Sequence, residues 1–188
     1  DLYGDEIIRD ADSVVVEIDM ESDLLRRIFT LADKYNKKVY AVVSNMSIAS
    51  ERRDLMKQTD CVVCNLQEAE ILFSSDYSNH SVEDLAEIIS KSAKKAHYPK
   101  VVVTMGENGA VYCDENGYGI CPAQKTAVVD TTGAGDAFFA GVAIGLTYHK
   151  TLVESCQIGT KLASSVIATK EAVCPRFQPG EFNIEIND

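Results

Sequence analysis

The chain has 188 residues and a formal net charge of −11, with 29 acidic against 18 basic side chains. That balance argues against nucleic acid or an anionic membrane as a partner, since both reward clustered Lys and Arg, and it favours a small molecule. No apolar run approaches the ~20 residues that span a bilayer, and no charged-then-apolar leader opens the chain, so the expected compartment is the cytoplasm.

A short polar helix-like stretch precedes the first predicted strand, Ser13 to Asp19, and the chain reads as starting in mid-fold. Leu24, Leu25, Ile28, Phe29, Ala32 and Tyr35 recur at helical spacing after Ser22, a candidate cap. A second strand, Lys38 to Val43, is nearly all apolar, as a parallel strand buried on both faces would be, and it ends at Ser44 and Asn45. A helix from about Ile48 to Gln58 follows, then a third strand, Cys61 to Cys64, which runs into Asn65, Glu68 and a further helical stretch. Asn65 with Glu68 three residues on is a capping box by spacing, and equally an amide and a carboxyl placed to offer oxygens to a hard cation.

The longest amphipathic helix runs from Ser81 to about His97 and is stopped by Pro99. The fourth strand, Lys100 to Val103, delivers Thr104, Gly106 and Gly109 in a TxGxxG pattern. Its glycines either let backbone approach a nucleotide or simply permit a turn. A hairpin is expected next, turning at Asn116-Gly117.

Six cysteines raise the question of metal or disulfide. Cys61 and Cys64 have CxxC spacing, but residues three apart in a strand point to opposite faces and cannot share an ion. The remaining four have no partner spacing, so buried free thiols are expected.

Val129 to Gly145 reads VDTTGAGDAFFAGVAIG. Gly133 and Gly135 permit a tight turn, and the apolar run behind them predicts a helix from about Ala134 to Tyr148 whose first amides lack partners. Those amides and the helix dipole suit an anion. Asp136 beside them either caps the helix or accepts a proton from a nucleophile attacking a phosphoryl group. Thr151 and Glu154 form a second capping box and open a final helix carrying Leu152, Cys156, Leu162, Ala163, Val166 and Ile167.

Strands alternating with helices predict an α/β fold with a doubly wound, mostly parallel sheet and helices on both faces. Asp19, Asn45, Asn65 and Thr104 then converge at strand ends, where such sheets bind ligands. There is no GxxxxGK[ST] phosphate loop and no GxGxxG after the first strand.

The run Asp130, Thr131, Thr132, Gly133, Ala134, Gly135, Asp136, Ala137, Phe138, with Gly141 one turn on, resembles the C-terminal signature of the ribokinase-like (PfkB-type) sugar and nucleoside kinases. The resemblance implies ATP-dependent phosphorylation of an alcohol, with Asp136 as catalytic base and Gly133, Ala134 and Gly135 as an anion hole. It further implies nucleotide binding by Asn65, Glu68, Thr104, Gly106, Gly109 and Thr160. Glu68 would order Mg²⁺ through water, and Asp130 and Thr132 would flank a monovalent cation such as K⁺. Glu171 stands where members place glycine before alanine, which puts that cation site in question. The likeness runs from Ser13 to about Pro179 and covers only the C-terminal part of a family member, all 188 residues falling in one kinase domain without its first strands and lid. The expected substrate is a sugar or nucleoside rather than a sugar phosphate, because no Arg or Lys cluster stands near the strand ends. The fragment alone is expected to be inactive, and its open sheet edge invites pairing with another chain, a homodimer included. The competing expectation is a non-catalytic nucleotide-binding or regulatory module that kept the fold.

Overall fold

The computed structural model describes residues 3–43, 45–174 and 177–184. Its centre is built from the valine-rich runs. Ser13–Glu17 (β1), Lys38–Val42 (β2), Cys61–Asn65 (β3) and Val101–Thr104 (β4) pair in parallel, each with the next. Ala110–Asp114 (β5) and Gly117–Cys121 (β6) extend the sheet antiparallel, giving the order β1-β2-β3-β4-β5-β6. The sheet is thus mixed, with its parallel part where the predicted strand-helix alternation lies.

Helices cover both faces. One face carries Gly4–Asp10 (α1), Ser22–Lys34 (α2), Met46–Glu51 (α3), Arg53–Met56 (α4), Leu66–Phe73 (α5) and Val82–Ala96 (α6). The other carries Ala134–Thr147 (α7) and Leu152–Ile167 (α8). The periodicity of each strand sorts its side chains between them. Val62 and Cys64 join the core beneath the first helical layer, whereas Cys61 and Val63 join the core beneath α7 and α8. Cys61 and Cys64 therefore point apart, as strand geometry requires, and none of the six cysteines forms a disulfide. β1 is one of the two edge strands: Val14 and Val16 are buried, but Val15, on the α7 side, is 53% exposed.

α7 and α8 approach closely because their contact is made by small residues. A Cβ on Gly141 would lie 2.5 Å from Gly159 Cα, and one on Gly145 would lie 2.5 Å from Ser155 Oγ. Beneath them Phe138, Phe139, Val142 and Cys156 pack on the sheet. The helices start where side chains supply the missing acceptors. Ser81 Oγ accepts from Asp84 N at 3.1 Å, and Thr151 and Glu154 complete the expected capping box. Each such cap stabilises its helix by about 1 kcal/mol.

Three local expectations are corrected. Ser22 is the first helical residue of α2, and the cap position is Glu21, without a side-chain bond. The helix expected from Ile48 to Gln58 is two, broken at Arg52, whose side chain reaches back to the carbonyls of Ile18 and Met20. The hairpin turns at Glu115-Asn116, because Asp114 pairs with Gly117 and the Asp114 carboxylate accepts from Asn116 N at 2.8 Å. No described helix is long and apolar enough to cross a membrane.

Candidate active site

Ser13 and Thr147 orient the site. Their hydroxyls lie 2.7 Å apart, which fixes the last turn of α7 at the amino end of β1. A helix rises about 1.5 Å per residue, so the first turn of α7 lies roughly 20 Å away, along the carboxyl ends of the strands. Asp19, Asn45, Asn65 and Thr104 lie at or just past the carboxyl ends of β1 to β4; Ser44 lies outside the described residues.

Gly133 is the N-cap of α7, in the left-handed conformation at φ 78°, and no side chain caps the helix. Asp136 is the third helical residue, where a carboxylate could complete a capping box, but it makes no such bond. Its carboxylate is exposed and has no hydrogen-bond or ion-pair partner among the described residues. Of the amides expected to form the anion hole, Ala134 N is already bonded to Thr131 O at 3.2 Å. Those of Gly133, Gly135 and Asp136 have no partner among the described residues. Two of the three expected amides, those of Gly133 and Gly135, are thus unpartnered, and that of Asp136 stands with them in place of Ala134. Three unpaired amides at the positive end of a fourteen-residue helix favour an anion.

The turn before α7 is shaped by Asp130, whose Oδ1 accepts from Thr132 N at 2.9 Å and Thr132 Oγ1 at 2.8 Å. These bonds hold the Asp130 carboxyl below its ordinary range. The chain after α8 closes over this turn. Ile167 O accepts from Val129 N at 2.7 Å and Asp130 N at 3.3 Å, and the Ala172 carbonyl faces Gly133. The Ala172 contact spans 39 residues, and no local spacing in the sequence marks it. Within this loop Glu171 N bonds to Thr169 Oγ1 at 3.2 Å, and the Glu171 side chain is exposed.

Asn65 and Thr104 are register partners on β3 and β4. Asn65 caps α5: its Oδ1 accepts from Glu68 N at 2.9 Å, and Glu68 Oε2 accepts from Asn65 N at 2.7 Å. The capping-box reading of this pair is therefore realised, leaving Glu68 Oε1 and the Asn65 side-chain amide without partners in the box. Burial pushes the Glu68 carboxyl up. Thr104 Oγ1 donates to Cys64 O at 3.4 Å. Gly106–Asn108 forms a 3-10 turn in which Gly106 has φ 58° and open space beyond it. Gly109 has a packing reason instead, since a Cβ there would lie 2.2 Å from Cys121 O. Thr160 lies mid-helix in α8, with its hydroxyl 3.5 Å from Cys121 Sγ.

Among the described residues no three His, Cys, Asp or Glu side chains cluster to hold a metal by themselves. The oxygen of Glu68 left outside the capping box suits a hard cation that arrives on phosphates and keeps its waters, and the uncapped amides suit the phosphates themselves.

An open α/β sheet with an uncapped helix at its ligand edge defines the class, and residues 5–176 match the pfkB family carbohydrate kinases. The chain belongs to that family. It is 38% identical over 162 residues to a guanosine-inosine kinase of Exiguobacterium acetylicum, covering 85% of this chain and 52% of that protein. Its fold is similar to that of Arabidopsis thaliana ribokinase complexed with ribose and ATP, with a TM-score of 0.76 and 24% identity over 89% of this chain and 53% of that one. It is also similar to adenosine kinase from Sinorhizobium meliloti, with a TM-score of 0.75 and 24% identity over 90% and 53%. The chain spans about half the length of these relatives.

Proposed function

We propose that this chain forms the C-terminal, phosphoryl-transferring part of a single kinase domain that moves the γ-phosphate of ATP to a hydroxyl of a nucleoside. The observation that carries the reading is the first turn of α7, where an unpartnered Asp136 carboxylate stands beside three unpartnered amides. Bound MgATP would supply the phosphoryl group and a cation that neutralises its charge. Asp136 takes the proton of the attacking hydroxyl, while the amides of Gly133, Gly135 and Asp136 hold the charged oxygens of the moving group. Asn65 and Glu68, beside Thr104 and Gly106, border the phosphates. Asp130 and Thr132 would hold a monovalent cation next to the hole, on the turn that the loop carrying Glu171 packs against. Similarity to a guanosine-inosine kinase favours a purine nucleoside as acceptor over a free sugar.

The test is phosphorylation of inosine, guanosine, ribose and 2-dehydro-3-deoxygluconate by a polypeptide of the relatives' full length that contains this chain. Asp136→Asn should lower turnover by about 10²-fold or more while MgATP binding survives. Unchanged turnover ends the assignment of Asp136. The 188-residue chain alone should bind MgATP without turnover, since a base without a positioned hydroxyl lacks proximity. A second reading, a nucleotide-binding regulatory module, predicts binding without turnover in the longer polypeptide too.

A further inference from the structure

Arg52 ties together two of the strand-end segments. Its Nη1 donates to Ile18 O at 2.8 Å and to Met20 O. Ile18 prolongs β1 by donating its amide to Val42 O at 3.1 Å, and Met20 N closes a turn onto Glu17 O at 3.2 Å. Residues 18–21 thus form a turn at the carboxyl end of β1, carrying Asp19. Arg52 reaches it from the junction of α3 and α4, the connection that leaves β2.

The charge of Arg52 is not spent on a carboxylate: no ion pair involves it among the described residues. Its neighbours tie the same connection elsewhere. Arg26 pairs with Asp54 at 3.2 Å, and Arg53 donates to Ser74 Oγ at 3.3 Å. Ile18 is fully buried, so its carbonyl has no water to fall back on if the guanidinium is removed. Past the turn, the first turn of α2 borders an open hollow of about 640 Å³ lined by Glu21, Asp23, Leu24 and Arg27.

Resting on the kinase reading above, which gives the ends of β3 and β4 to the nucleotide, the ends of β1 and β2 remain for the acceptor. We infer that Arg52 is a positioning residue for the acceptor: it holds turn 18–21 as a fixed wall of the acceptor site without touching either substrate. A planar guanidinium can serve two carbonyls from one nitrogen while its other donors stay in plane, which a lysine ammonium on a flexible stem does less well.

The experiment compares wild type, Arg52→Ala, Arg52→Lys and, as a control for the same connection, Arg53→Ala in a polypeptide of the relatives' full length that contains this chain. Amide hydrogen exchange over residues 18–24 and calorimetric affinities for inosine and for MgATP are measured. R52A should exchange residues 18–24 roughly tenfold faster and bind inosine about tenfold more weakly, with MgATP affinity within about twofold. R52K should restore most of both, and R53A should change neither. Exchange unaltered in R52A, or equal weakening of both ligands, overturns the inference. A wild-type chain that binds MgATP but no purine nucleoside overturns the acceptor assignment, while Arg52-dependent protection of residues 18–24 still upholds the clamp.

Discussion

The carbonyl oxygen of Ala172 faces Gly133 so closely that a Cβ on Gly133 would lie 2.1 Å from it. Gly133 also has φ 78°, which an L side chain adopts only with strain. The turn before α7 and the loop after α8 therefore hold each other through an absent side chain. Gly133→Ala should destabilise the protein by about 2–3 kcal/mol, lowering Tm by roughly 4–12 °C. It should also weaken MgATP binding, because the loop must move off the helix start. A Tm within about 1 °C of wild type would show that the loop is not held there.

Glu68 offers a way to separate helix capping from cation binding. Glu68→Gln keeps an oxygen for Asn65 N, so the cap survives, while Asn65→Ala should cost about 1 kcal/mol. Burial raises the folded-state value of the Glu68 carboxyl. Its contribution to stability is therefore fully present below the unfolded value of 4.5 and is lost as pH rises through the higher folded value. Chemical denaturation should accordingly find E68Q equal to wild type at low pH and no less stable at neutral pH. Calorimetry should find MgATP, but not ATP in chelator, bound several-fold more weakly by E68Q. Equal loss for both forms of the nucleotide would remove the cation role.

Asp130 titrates in the opposite sense. Its bonds to Thr132 lower the folded value below 3.8, so the stability they contribute is present above 3.8 and is lost as pH falls through the folded value. The difference in denaturation midpoint between wild type and Asp130→Asn should be flat above pH 5 and shrink only on the acid side. A difference that grows toward neutral pH would contradict the bonding seen here.

The thiols should divide by burial. Cys61 is fully buried and pushed up to about 12, and Cys113 up to about 11, in each case chiefly by desolvation. Cys64, Cys121 and Cys156 are raised by the same cause, whereas Cys174 is only half-buried. A thiol reagent at pH 8 should label Cys174 first and the other five only on unfolding, read by peptide mass analysis. Rapid native labelling of Cys61 and Cys64 together would refute their placement on opposite faces.

Gly141 and Gly159 meet backbone to backbone, so added volume cannot be absorbed by a rotamer change. Gly159→Val should cost roughly 3 kcal/mol or more and expose the sheet face under α7 and α8, giving faster hydrogen exchange in β5 and β6. An unchanged melting curve would mean that the helices can separate freely.

The parallel part of the sheet was readable from the order of residues because its causes are local: apolar runs of strand length, helical spacing between them, and caps such as Ser81 and Thr151 three residues ahead of the amides that donate to them. The family signature at residues 130–141 was legible for the same reason, being one unbroken stretch. Where two local causes shared one spacing, as at Asn65 and Glu68, the order of residues left both open, and the capping bonds emerged only when side chains were placed.

What chain order could not decide are relations across distance. The pairing of Ala172 with Gly133, the bond from Ser13 to Thr147 and the reach of Arg52 to Ile18 and Met20 join residues 39, 134 and more than 30 positions apart. No periodicity records such contacts, because each depends on how whole elements pack rather than on neighbouring residues. The tertiary structure also took one amide out of the expected trio, since the Ala134 amide bonds to Thr131 and only three-dimensional placement tells a free donor from a used one.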